Sequence, residues 1–266
     1  KGVPKTTSDL TEVFKYNDLE SLRKILSDKN DVACVVMEPM NVNMPNQGFL
    51  EGVRELTKKH GVILVFDETI TGFRYSNGGA QELFGFVPDL ATFGKGIANG
   101  FSFCALTGTK EIMELGGINN IGKEKVFLIS TTHGGETHAM AAANATIDVF
   151  QQLNVVNHNH QIGDALILGC QEAIIAAGAS LLVDVIPCNW LVAFTFKDSQ
   201  GQVSGALRTL AMQEMIKRGI LFQGAFSPCF SHSLDDVAYF VEAFSQTLFI
   251  LQEAEKVGVE KILDEA

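Results

Sequence analysis

Three apolar runs of strand length, each closed by a turn residue or a charge, alternate with amphipathic stretches of helix length in the first part of this chain. The runs are "VACVVMEP", stopped by Pro39, "VILVFDE", ending on Asp67 and Glu68, and "LATFGKG", ending on Gly94 and Lys95. Short, continuously apolar runs of this kind read as buried strands of a helix-covered parallel sheet. Between them lie "DLESLRKILSDKND", with Leu19, Leu22, Ile25 and Leu26 at helical spacing behind Asp18 as N-cap, and "GFLEGVRELTKKHG", closed by Gly61 as C-cap. "FCALTG" reads as one further strand. The alternation specifies an α/β fold with a mainly parallel sheet. Functional groups in such sheets gather beyond the C-terminal ends of the strands, and Asp67 and Lys95 both stand at such ends.

The character changes after about Phe150. Ahead of that point, "HAMAAANATIDVFQQL" is an alanine-rich helix expected to pack closely on its neighbours; beyond it, "NHNH" (Asn157–His160) is expected in a loop or helix cap. Then come a helix in "QIGDALILGCQEAIIAAG", strands in "LLVDVI" and "WLVAFTFKD", a helix in "ALRTLAMQEMIKRGI" and a long closing helix in "DDVAYFVEAFSQTLFILQEAEK". The expected division is therefore 1–150, an α/β domain, and 151–266, a smaller α+β domain.

With 46% hydrophobic and 19% charged residues the chain is an ordinary globular one. A net charge of −11 without any cluster of Lys or Arg argues against nucleic-acid or membrane-surface partners. Five scattered cysteines with no C-x-x-C pair indicate neither a disulfide framework nor a zinc knuckle. A reduced, cytoplasmic setting is the expectation. "HGGETH" (His133 to His138) has neither the H-E-x-x-H nor the H-x-x-E-H order of a zinc site, so it reads as a turn feeding the alanine-rich helix.

A lysine held among apolar residues loses part of its ammonium stabilisation and becomes nucleophilic, which suits Schiff-base formation with a carbonyl. Pyridoxal phosphate (PLP) needs such a lysine for its aldehyde and a carboxylate beside its pyridine nitrogen. A buried Lys95 and a buried Asp67 at neighbouring strand ends answer both needs, and the glycines flanking Lys95 let a cofactor approach the backbone. A phosphate-binding P-loop is excluded, because Asp89 and Gly96 stand where it requires Gly and Ser or Thr. Glu68 points to the opposite side of an extended chain from Asp67 and reads as structural.

"VFDETITGFR", "GGAQELFG", "PDLATFGKGIANG" and "STTHGGETHAMAAA", in this order, resemble the class III, fold type I, PLP-dependent aminotransferases, and within them the glutamate-1-semialdehyde 2,1-aminomutase branch. The resemblance implies that Lys95 is the aldimine lysine, that Asp67 partners the pyridine nitrogen and that Thr69 lies against the ring. It implies further that Asn43 lies near the ring hydroxyl and that Thr132 binds the phosphate of the neighbouring subunit's cofactor, in a homodimer. Ile70 stands where many class III enzymes carry a glutamine, and His232 resembles a small-domain histidine of the family.

The family's phosphate-binding turn lies upstream of these motifs, so the resemblance casts the chain as the C-terminal part of a longer enzyme. "NGFSFCALTG" and "GAFSPCFSHS" depart from the aminomutase pattern and leave the substrate open. The expected activity is amino-group transfer between small-molecule donors and acceptors, as transaminase or aminomutase. The alternatives are racemase or decarboxylase chemistry on the same scaffold, or a non-catalytic module dependent on a partner.

Overall fold

A computed structural model describes residues 2–117, 121, 122, 124, 132 and 134–263. The chain forms two compact units, Lys1–Gln152 and Leu153–Ala266.

The first unit opens with a single helical turn, α1 (Lys5–Ser8), followed by α2 (Leu19–Asp28), β1 (Cys34–Met37), α3 (Phe49–His60), β2 (Ile63–Asp67), α4 (Ala80–Phe84), β3 (Leu90–Phe93), β4 (Ala105–Gly108) and α5 (Lys110–Met113). Asp18 caps α2 by accepting the Ser21 amide at 3.1 Å, and Gly61 ends α3 at φ +66°, both as the sequence foretells. The sheet runs β1-β2-β3-β4, parallel through its first three strands and antiparallel at the last pair.

Leu22 and Leu26 of α2 and Val53 and Leu56 of α3 pack with Val35, Met37, Leu64, Phe66 and Ala91 from one face of the sheet. Each of these side chains larger than alanine contributes about 1.5–3 kcal/mol of burial, so this cluster holds the strands in register. The expectation of strands buried on both faces is not met at β1. Val35 and Met37 are buried, but Cys34 and Val36 on the other face are exposed, because the two helices cover only one side.

A second small cluster joins Phe73, Ile97 and Ala98 to Ala143 of α6 (Thr137–Leu153). Close packing of the whole alanine-rich helix is not observed. Ala139 and Ala143 are its buried residues, and most of its remaining surface is exposed.

The second unit contains α7 (Val155–Ala177), β5 (Val183–Ile186), β6 (Val192–Phe196), α8 (Gly205–Lys217), β7 (Ala225–Phe226) and α9 (Leu234–Val257), with an antiparallel sheet in the order β5-β6-β7. Its core sets Phe194, Phe196, Phe222, Phe240 and Phe244 among aliphatic side chains such as Leu166, Leu210 and Leu248. The helix α7 meets its neighbours at two glycines. A Cβ on Gly163 would lie 1.8 Å from the Asn189 carbonyl oxygen, and one on Gly169 would lie 2.7 Å from Val241.

The placing of "NHNH" in a loop or cap is overturned, since Asn157–His160 lies inside α7. Tertiary contacts outweigh the weak helix propensity of Asn and His. The His158 ring meets Phe230 at 5.0 Å and its Nε2 lies 2.9 Å from the His232 carbonyl. The break falls earlier, at Asn154, whose left-handed φ of +50° separates α6 from α7.

Candidate cofactor site

Parallel pairing of β2 with β3 sets Asp67 directly opposite Thr92. β2 stops at Asp67 and β3 one residue later, at Phe93. After β2 the chain turns through Thr69 to Tyr75, and after β3 it enters a short 3-10 turn, Lys95–Ile97. The Asp67 carboxylate is held at Oδ1 by the Thr69 amide at 3.0 Å and by the Thr92 hydroxyl at 3.0 Å. Gly94 fits against Thr69 so closely that a Cβ there would lie 3.1 Å from the Thr69 methyl. Asp67, Thr69 and Lys95 thus converge at the C-terminal edge of the sheet.

Partial burial pushes the Asp67 carboxyl up, but the hydrogen bonds from Thr69 and Thr92 and the Lys95 charge outweigh it, and its pKa lies below the ordinary carboxylate value. Asp67 is therefore an anion at neutral pH. Lys95 differs from the sequence expectation, because its side chain is exposed rather than buried. The reason is its position on the turn between Gly94 and Gly96, past the end of the strand. Its backbone sits at φ +46°, in the left-handed region that disfavours side chains. Position 95 carries a lysine against that preference.

Glu68, next in the chain, points the other way and is fully buried. Its Oε2 accepts the Ala80 amide at 2.8 Å and the Thr71 hydroxyl, and its Oε1 accepts the Gln81 amide at 2.8 Å. One carboxylate thereby closes the loop after β2 onto the start of α4. "GGAQ" follows from this contact, since Gly79 has φ +81° and a Cβ on it would lie 2.5 Å from Glu68 Oε2. The structural reading of Glu68 holds.

Asn43 lies in an exposed bend after β1, its amide donating to Asn41 Oδ1 at 2.9 Å. The Tyr75 hydroxyl donates to the Asn41 carbonyl at 2.7 Å and so ties this loop to the one after β2. Thr132 is exposed in a turn, while its neighbours Thr131 and His133 lie outside the described residues. The site residue that sequence reasoning missed is Thr92. A hydroxyl residue three positions before Lys95 was visible, but only the β2–β3 register connects it to Asp67.

The donor set suits PLP. It offers an anionic carboxylate for a protonated ring nitrogen, an accessible primary amine for an aldehyde, and glycine on both sides of that amine.

Comparison with known proteins agrees with this geometry. The family model described as aminotransferase class-III matches residues 2–186. The chain is 35% identical to 3-aminobutyryl-CoA aminotransferase of Cloacimonas acidaminovorans (strain Evry), over 92% of this chain and 59% of that protein. It is 32% identical to glutamate-1-semialdehyde 2,1-aminomutase of Syntrophobacter fumaroxidans (strain DSM 10017 / MPOB), over 95% of this chain and 60% of the relative. Among solved structures, the PLP internal aldimine form of the Sphingopyxis sp. MTA144 FumI protein superposes with a TM-score of 0.83 at 20% identity, over 97% of this chain and 61% of the other, and shares its fold. The chain thus spans about three fifths of the length of the curated relatives it matches. By the extent of the family match and by these identities, this chain belongs to the class-III aminotransferase family.

Proposed function

We propose that this protein serves PLP-dependent transfer of an amino group between small-molecule donors and acceptors, as a transaminase or an aminomutase. The observation that carries the reading is the convergence of Lys95 with an Asp67 carboxylate kept anionic by Thr69 and Thr92. When bound, PLP supplies an aldehyde that condenses with amines and a ring that withdraws electrons from the carbon next to the amino group. Asp67 would accept the hydrogen bond of the ring nitrogen and keep that nitrogen protonated. Thr69, beside Gly94, would lie against the ring face, and Asn43, in the loop that Tyr75 ties to the one after β2, would lie near the ring hydroxyl. Lys95 Nζ is the amine that would hold the aldehyde carbon and would move a proton to and from the substrate carbon.

The same reading makes 1–150 part of the cofactor domain and 151–266 the small domain, which the division after Gln152 supports. It also makes the active form a cytoplasmic homodimer in which Thr132 reaches the neighbouring cofactor's phosphate. Among the described residues no helix is long and apolar enough to cross a membrane.

The test is to add PLP, reduce with borohydride and map the product by mass spectrometry. A stoichiometric phosphopyridoxyl adduct on Lys95, absent in Lys95→Ala, is expected. Adducts scattered over the lysines would refute the assignment.

A further inference from the structure

We propose that Thr92 is the positioning residue of this site, fixing the orientation and charge of Asp67 for its ligand. The inference rests on the reading of Asp67 as the partner of a protonated ring nitrogen. Two hydrogen bonds enter the carboxylate at Oδ1, from the Thr69 amide and the Thr92 hydroxyl, each at 3.0 Å, and the Thr69 side chain adds to the stabilisation of the anion.

The amide comes from Asp67's own loop and follows it wherever it moves. The hydroxyl comes from the adjacent strand, at the register position facing Asp67, and anchors the carboxylate to the sheet. The two threonine hydroxyls also approach each other at 3.5 Å, so Thr92 stands between the loop after β2 and the strand that leads to Lys95.

Shape alone does not explain a threonine at this position. A valine is equally β-branched and equally suited to a strand. What the hydroxyl adds is one donor aimed at an anion, and hydrogen bonds to charged groups are the stronger kind. The charged groups around Asp67 are few. Lys95 faces it from the turn after β3, while Glu68 turns away and is consumed by Thr71 and the α4 amides. Removing the Thr92 hydroxyl therefore leaves Lys95 and Thr69 as the groups that keep Asp67 ionised.

The experiment compares Thr92→Val with Thr92→Ser in the full chain. The Asp67 carboxyl is titrated by carbon-13 NMR without cofactor, its resonance assigned with Asp67→Asn, and PLP dissociation is measured in parallel. Thermal unfolding establishes that each variant is folded. Thr92→Val is expected to raise the proton affinity of Asp67 about tenfold and to weaken PLP binding by a similar factor, with Thr92→Ser close to the parent on both. A Val variant that titrates and binds like the Ser variant overturns the proposal. If the Asp67 titration moves as expected but even the parent chain takes no PLP at Lys95, the positioning role stands and the cofactor reading falls.

Discussion

Replacing Glu68 by Gln changes one oxygen to an NH2 at a fully buried position, with almost no change of shape. The carboxylate accepts three hydrogen bonds: Gln81 N–H at Oε1, and Ala80 N–H with the Thr71 hydroxyl at Oε2. A glutamine has only one acceptor oxygen. Its best orientation keeps that oxygen at the Oε2 position, which retains two bonds at neutral rather than ionic strength, a loss of about 0.5–1.5 kcal/mol each. The NH2 then faces the Gln81 N–H, donor against donor, and a buried unsatisfied donor costs about 1–3 kcal/mol. The sum, about 2–6 kcal/mol, is a large share of the ~5–15 kcal/mol that stabilises a typical domain.

Two assays read this change. Hydrogen exchange at the Ala80 and Gln81 amides should accelerate about 100-fold, because ~3 kcal/mol of local protection is lost. Urea unfolding followed by far-ultraviolet circular dichroism should show a lower midpoint for the first unit. Trp190, the single tryptophan, lies in the second unit and reports on it separately by fluorescence. Unchanged exchange at both amides with an unmoved midpoint would refute the view that Glu68 closes the loop after β2.

Asp89 of "PDL" makes a two-pronged ion pair with Arg54, with N–O distances of 2.5 and 2.7 Å, and accepts the Leu64 amide at 2.8 Å. The Arg54 guanidinium, together with that amide and against partial burial, holds its pKa below the ordinary aspartate value. Because the folded pKa is the lower one, the stabilisation is complete above the unfolded value and is lost as pH falls through the folded value. Asp89→Asn should therefore lower the melting temperature at neutral pH, and the gap from the parent should close on acidification; differential scanning calorimetry across pH checks both. Gly163→Ala should destabilise the second unit by several kcal/mol, because the backbone carbonyl of Asn189 cannot yield to a Cβ at 1.8 Å. Loss of the Trp190 fluorescence transition at low urea is the expected sign, and a parent-like transition would mean that α7 can shift.

The alternation of apolar runs and amphipathic stretches was enough to read the parallel sheet, because burial by α2 and α3 acts on residues close in the chain. Asp67 and Lys95 were legible for the same reason, since both end strands that are plain in the sequence. Thr92 was not, because its significance lies in a cross-strand register that local patterns do not encode. The exposure of Lys95 was missed because strand-end position was equated with burial, whereas the chain leaves the sheet at Gly94 before the lysine side chain begins. The helical "NHNH" segment was hidden for a third reason, its partners being Phe230 and His232 far along the chain.

The left-handed backbone at Lys95 bears on how this protein can be engineered. At φ +46° a glycine is more comfortable than a lysine by about 1 kcal/mol. A library selected for thermal tolerance alone would therefore drift toward glycine at 95, improving the fold while discarding the amine. Stabilising campaigns on this scaffold need position 95 locked from the outset, and a gain in melting temperature from Lys95→Gly would measure how much folding free energy the chain forgoes to present that side chain.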